Sequence, residues 1–299
     1  MSYNNFITYL DGKNLMKNKI NPALPLFIAS AAAAALSVAA RIILTLTSYD
    51  SAYGVYAHGS VTPTVYHVLL AIVCIAFLLI PLIFSKRFTP QPVPKVGDGT
   101  IFTSCICAFI LGAYVLLSLY NIIIVKAAAD IFDILMLIFA IPAIIFFITL
   151  LRADVKSPAV AAFMSFFPTA WCAVYLIRVY FDFTLLTSSP TKTLHELALL
   201  SAMVYLLNES RFLLGNVSGL LFRASAAIAP VLLLSSALPG MILSDKLLIG
   251  NSDDFICYAV ECALALFILS RLYFSARTEA PEPVESPVKP EAEPSPAEE

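Results

Sequence analysis

Long apolar runs separated by short polar interruptions recur from one end of the chain to the other. A helix crosses ~30 Å of hydrocarbon at ~1.5 Å per residue, so roughly 20 mainly apolar residues are needed for each crossing. Eight stretches meet or nearly meet that length, at 22–47, 64–84, 101–124, 130–151, 158–183, 194–213, 221–243 and 254–275. The pattern predicts an all-α integral membrane protein with about eight transmembrane helices in one polytopic domain, residues 22–277. A polar N-terminal segment, 1–21, precedes it and a tail, 278–299, follows. The first stretch reads as a retained helix, because its apolar run is too long for a signal peptide and the residues before it are too polar.

The sixth stretch is the least apolar. Only Leu197 to Leu207 is free of charge, with His195 and Glu196 at one end and Asn208, Glu209 and Arg211 at the other. A seven-helix arrangement is therefore the main competitor.

The two halves of the pattern resemble each other. Pro22 and Arg41 of the first stretch match Pro158 and Arg178 of the fifth. TVYHVLL around His67 matches TLHELAL around His195, IFTSCICAFI matches LFRASAAIAP, and DIFDILMLIF from Asp130 matches DDFICYAVEC from Asp253. Four matches in the same order suggest a 4+4 tandem repeat about an axis along the membrane normal.

Composition agrees with the pattern. The 299 residues are 60% hydrophobic and 13% charged, where a soluble domain carries about 25% charge. The net charge of −2 hides an uneven distribution, because the tail from Thr278 holds seven of the 20 acids and one of the 18 bases. With six prolines and few apolar side chains, the tail cannot offset its ordering entropy and reads as disordered. The segment Thr89–Thr100 is Pro-rich and reads as an extended loop.

Lys and Arg set the expected orientation. With both termini cytoplasmic, 13 fall on the inner side and four on the outer, with Arg41 inside the first helix, which satisfies the positive-inside rule. The sequons at Asn208 and Asn216 then lie inside and are chance matches. Tyr49, Tyr53, Tyr56, Tyr66, Tyr120, Tyr180 and Tyr258 gather at outer helix ends, as an interfacial aromatic belt does. The short connections and compact size point to a bacterial plasma membrane, with the lipid bilayer as the first partner, and leave no surface for nucleic acid.

Little catalytic chemistry is present. HELAL at His195 has Leu199 where a zinc-protease motif needs its second histidine. No nucleophile elbow, Walker loop or dinucleotide fingerprint occurs, and no cofactor or metal site is expected. Asp130 and Asp133 share a helix face but lack the further carboxylates that a hard metal needs. The six cysteines (Cys74, Cys105, Cys107, Cys172, Cys257 and Cys262) form no CxxC pair and read as apolar packers. Small residues Ala31, Ala35 and Ala39 in the first helix offer a close-packing face. Pro81, Pro142, Pro168, Pro230 and Pro239 are expected to kink their helices.

The candidate site rests on intramembrane charge, which costs ~2.5–3.5 kcal/mol per group at mid-membrane on insertion scales. Arg41, Arg178 and Glu261 all lie toward the outer side and are the candidate ligand-binding residues. Arg178 and Asp182, four apart, can pair locally. Arg41 and Glu261, at similar depth, can pair with each other and fix helix register, Arg41 can instead snorkel to the outer interface, or the groups can form an outward-facing site, where guanidinium groups favour an anionic or zwitterionic solute. Three functions fit. The first is a small-solute transporter or permease subunit. The second is a non-catalytic sensor or accessory subunit of a membrane complex. The third is a lipid-acting enzyme, which would depend on His67, His195, Asp130 and Asp133.

Overall fold

The computed structural model describes residues 23–50, 55–56, 61–83, 97–125, 130–151, 158–182, 189–214, 219–244 and 252–277. The N-terminal segment, the tail, Tyr53, Asn216 and residues 89–96 of the Pro-rich segment lie outside these. The described chain is almost wholly helical: α1 (Ala23–Ser48), α2 (Thr62–Ile83), α3 (Asp98–Tyr120), α4 (Ile131–Thr149), α5 (Pro158–Met164), α6 (Phe166–Phe181), α7 (Pro190–Leu213), α8 (Gly219–Ile242) and α9 (Ser252–Arg277). A π-helical turn, Asn121–Val125, extends α3. Between α1 and α2 a short antiparallel pair, β1 (Tyr49–Asp50) and β2 (Val55–Tyr56), sets Tyr49 opposite Tyr56.

Among the described residues, seven helices are long and apolar enough to cross a membrane, α5 and α6 counting as one. The protein is thus a multi-pass, all-α membrane bundle. The 24-residue α7 equals these in length but is not among them, because Lys192, Glu196, Glu209 and Arg211 lower its apolarity.

Local chemistry explains several boundaries. Pro168 has no N–H for the Met164 carbonyl and its ring crowds that position, so the helix breaks at Ser165 between α5 and α6. Side chains take up the carbonyls at the break: Ser165 Oγ donates to Ala162 O at 2.7 Å, and Thr169 Oγ1 donates to Ser165 O at 3.0 Å. Asp130 and Asp133 form a capping box at the start of α4, which accounts for the DIFD pair without a cation. Contrary to the extended loop expected over 89–100, the helix α3 already begins at Asp98, whose carboxylate suits a helix N-terminus. Gly97 and Gly99 let the start of α3 lie against the Phe274 ring, which an added Cβ at Gly97 would overlap.

Six helices close into a ring in the order α8, α9, α3, α4, α6, α7, each packed on the next and α7 back on α8. The α1–α2 hairpin packs outside this ring, mainly on α8, with α1 also touching α9. α8 and α9 are the most buried spans, whereas α2, α3 and α4 turn most of their apolar surface outward.

The packing face of α1 is not the Ala31, Ala35 and Ala39 stripe expected from the sequence. Ala35 and Ala39 are exposed, and the buried stripe runs through Leu26, Ser30, Ala34, Ser37 and Arg41. Two hydroxyls decide that rotation. Ser30 donates to Ala227 O on α8 at 2.8 Å, and Ser37 bonds the Tyr66 hydroxyl on α2 at 3.0 Å.

Candidate functional site

The buried stripes of α7 and α9 face the ring interior. On α7 the stripe runs through His195, Leu199, Ala202, Leu206 and Glu209, and on α9 through Cys257, Glu261, Leu264, Ile268 and Arg271. Both follow the alternating three- and four-residue spacing of a helix face. Each carries one ionisable group toward each end, and these groups meet across the ring.

At one end His195 Nε2 lies 2.6 Å from Glu261 Oε1, with both side chains buried. The imidazole ring packs between Tyr175 of α6 and Tyr258 of α9, at centroid distances of 5.2 and 5.0 Å. Trp171 packs tilted against Tyr175, and Tyr114 meets Trp171 edge to face, which continues the line of rings from α3 to α9. Tyr258, expected in the interfacial belt, is therefore part of the interior. Gly240 on α8 makes room for it, since a Cβ there would sit 3.1 Å from the ring. Exposed Tyr120 and Tyr180 remain suited to an interface.

At the other end Arg271 Nη2 donates to Glu209 Oε1 at 2.5 Å, and the Tyr205 hydroxyl donates to Glu209 Oε2 at 2.9 Å. Phe212 lies under the guanidinium, 5.8 Å from ring centroid to Cζ. Arg223 of α8 is also buried. Charges held this way are compensated within the bundle rather than presented to lipid.

Between the two charged ends the interior is apolar. A cavity of about 10 Å³, room for about one water molecule, is lined by Cys107 and Leu111 of α3, Ala143 and Phe147 of α4, Pro168, Trp171 and Cys172 of α6, and Val260 and Leu264 of α9.

The three residues expected at the site are placed differently. Arg41 reaches in from α1 and its Nη1 donates to Ser235 O on α8 at 2.7 Å, close enough for its charge to act on Glu261. The direct Arg41–Glu261 ion pair expected from the sequence does not form, because a carbonyl and an imidazole take those roles. Arg178 stands apart. It pairs with Asp133 of α4 at 3.2 Å, with both side chains about a quarter exposed. His67 is likewise elsewhere, its Nδ1 lying 2.6 Å from Pro63 O at the start of α2.

One carboxylate oxygen is left over. Glu261 Oε2 is buried and has no hydrogen-bond partner among the described residues. Above Arg41, Thr45 continues the same face of α1, and Tyr49 of β1 neighbours Thr191 of α7 and Ser189 just before it. Burial pushes the Tyr49 and Tyr56 hydroxyls up, and the Arg41 charge partly opposes this in each. Lys192 closes that end by donating to Tyr180 O at 2.8 Å and Asp182 O at 2.6 Å, satisfying carbonyls at the end of α6.

Sequence reasoning missed Glu209 and Arg271 as a buried pair, because both sit near the ends of their stretches. The signal that finds them is their place on the same three- and four-residue stripes as His195 and Glu261. Comparison of the chain with protein families, curated proteins and solved structures finds no match.

Proposed function

We propose that the protein is a small-solute transporter or permease subunit whose path runs through the interior of the six-helix ring. The observation that carries this reading is the layering of that interior: a charge pair between α7 and α9 at each end, with an apolar cavity between them. Packing alone needs no buried ions. A pair replaced by well-packed apolar residues is often as stable or more so. Charges kept at both ends of one interior therefore suit two gates around an occluded middle. Arg41 and Glu261 form the outer-end polar site and favour an anionic or zwitterionic solute. Arg178 helps to hold α6 on α4 rather than contacting the solute.

The reading includes eight crossings with both termini cytoplasmic, in a bacterial plasma membrane. The two pairs support α7 as a crossing helix. Positions rise together along both helices, from His195–Glu261 to Glu209–Arg271, so α7 and α9 run in the same direction. The 14 residues from His195 to Glu209 cover ~21 Å of depth. Arg223 and Arg271 are buried and leave the inner count of Lys and Arg, as buried Lys192 leaves the outer one, and eleven against three still favours this orientation. The 4+4 repeat draws support from three recurring neighbour relations: α1–α2 with α6–α7, α3–α4 with α8–α9, and α4–α6 with α9–α1. The halves depart elsewhere: the packing of α8 on α7 and on the α1–α2 hairpin, and of α3 on α9, has no counterpart of like extent in the other half.

A non-catalytic accessory subunit is the second reading. It is favoured by α2, which packs on the bundle along one side and leaves a broad apolar face for lipid or a partner helix.

Native cysteines separate the two. Cys107 and Cys172 line the middle cavity. With the other four cysteines replaced by serine or alanine, a small water-soluble methanethiosulfonate should label Cys172 in native membranes if the interior opens. Failure to label either cysteine until the protein is unfolded would sink the transport reading and leave the accessory role.

A further inference from the structure

We propose that the His195–Glu261 pair is a proton-binding site and serves as the coupling site of the transport inferred above. The coupling rests on that reading, whereas the proton binding stands on the geometry alone.

The carboxylate is built to accept something small. Oε1 lies against His195 Nε2, while Oε2 is buried without a hydrogen-bond partner among the described residues. Leaving a buried acceptor unmet is costly, and more so for a charged one, so the oxygen is poised for a donor. Its surroundings restrict what that donor can be. Arg41 from α1 is the facing cation, and α8 offers the Ser235 carbonyl that holds it. The α6 face brings the Cys172 thiol and Tyr175, α7 brings His195, and α9 itself brings Cys262 and Tyr258. From α3, Tyr114 stands farther off behind Trp171. Among the described residues no three His, Cys, Asp or Glu side chains come together to ligate a metal ion. A proton needs neither a cavity nor a ligand cage.

The balance is simple. Before uptake, a neutral imidazole with its Nε2 proton faces the Glu261 carboxylate. One proton entering from water leaves either imidazolium beside carboxylate or neutral imidazole beside carboxylic acid, and in both cases the pair gains one positive charge. Release reverses this. With Arg41 alongside, the site holds an excess positive charge only while the proton is bound, so a bound anion or solute carboxylate stabilises that form. Proton and solute thereby favour each other's binding, as linkage requires.

The test uses the full chain in lipid nanodiscs. The chain has only three histidines, so nitrogen-15 histidine NMR resolves them, and the His195 signal is assigned by its loss in His195→Gln. Proton uptake is counted in parallel with a pH-indicator dye as the pH is lowered from about 8 to 5. We expect about one proton per chain to be taken up by this pair, reported by the His195 signal in the wild type and lost in Glu261→Gln. A His195 signal fixed across the range in the wild type, or uptake unchanged in both Glu261→Gln and His195→Gln, overturns the proposal. Proteoliposome uptake of radiolabelled glutamate, glycine and lactate tests the coupling. Uptake that grows with an imposed pH gradient supports it, and uptake indifferent to the gradient overturns the coupling while leaving transport intact. If Cys107 and Cys172 also resist labelling, the transport reading fails and the proton site stands without it.

Discussion

Arg271 and Glu209 meet 2.5 Å apart inside the bundle, 62 residues apart in the chain, and both are almost completely shielded. Removing one partner leaves an uncompensated charge in a low-dielectric interior. Arg271→Met should therefore cost ~3–5 kcal/mol, while Arg271→Met with Glu209→Leu should recover most of the loss. Thermal unfolding in nanodiscs reads both. A double variant no more stable than the single one would mean that the pair carries packing rather than charge.

The other end of the ring predicts a difference between two couplings. His195 and Glu261 touch, whereas Arg41 acts on Glu261 through space while bonded to Ser235 O. In double-mutant cycles, His195→Gln with Glu261→Gln should show a coupling of ~1–3 kcal/mol, and Arg41→Gln with Glu261→Gln distinctly less. Equal couplings would argue for a direct Arg41–Glu261 contact.

Gly97 gives a steric prediction. A methyl group there overlaps the Phe274 ring, so Gly97→Ala should destabilise by ~1–3 kcal/mol. Adding Phe274→Ala should make Gly97→Ala nearly neutral. If the cost persists without the ring, backbone entropy rather than contact is responsible.

Lys192→Met should leave the Tyr180 and Asp182 carbonyls short of a donor and cost ~1–3 kcal/mol. The loss should localise to the end of α6 as faster amide exchange there, with α8 and α9 unaffected. Uniformly faster exchange would place the effect elsewhere.

Tyr49 and Tyr56 give a pH dependence. Their folded-state hydroxyls titrate above the usual tyrosine value because burial disfavours the phenolate. The folded chain thus holds these protons more tightly than the unfolded one. Their contribution is complete below about pH 10, the ordinary tyrosine value, and is lost as pH rises through the folded value. Tyr56→Phe should flatten the alkaline limb of a stability profile, and an unchanged limb would reject this assignment.

Much of this is legible in the amino-acid sequence. The apolar runs reveal a membrane bundle because helix length and hydrocarbon thickness are fixed quantities. Pro168 announces the break at Ser165. Arg41 and Glu261 stand out as ions in apolar stretches, and both belong to one polar end. What the sequence concealed was partnership. A carbonyl such as Ser235 O is the same in every residue, so nothing in the letters marks it as the acceptor for Arg41. Glu209 and Arg271 looked like helix-end charges because depth is judged from neighbours in sequence, whereas shielding comes from neighbours in space. Ala35 and Ala39 misled for the related reason that small residues permit contact on any face, and Ser30 and Ser37 choose which.

The parallel pairing of α7 with α9 also constrains how the molecule is made. The charges on α7 find their partners 62 and 66 residues later, on the final helix of the bundle. At ~5–20 residues per second, a ribosome takes on the order of 3–13 s to supply them. During that interval the nascent chain must hold an ion-bearing segment near the insertion machinery or lodge it among α4, α6 and α8 with its acids unmet. Only the arrival of α9 closes the ring. Chains halted before Glu261 should be recognised as unfinished and degraded, so the last helix acts as a checkpoint on biogenesis.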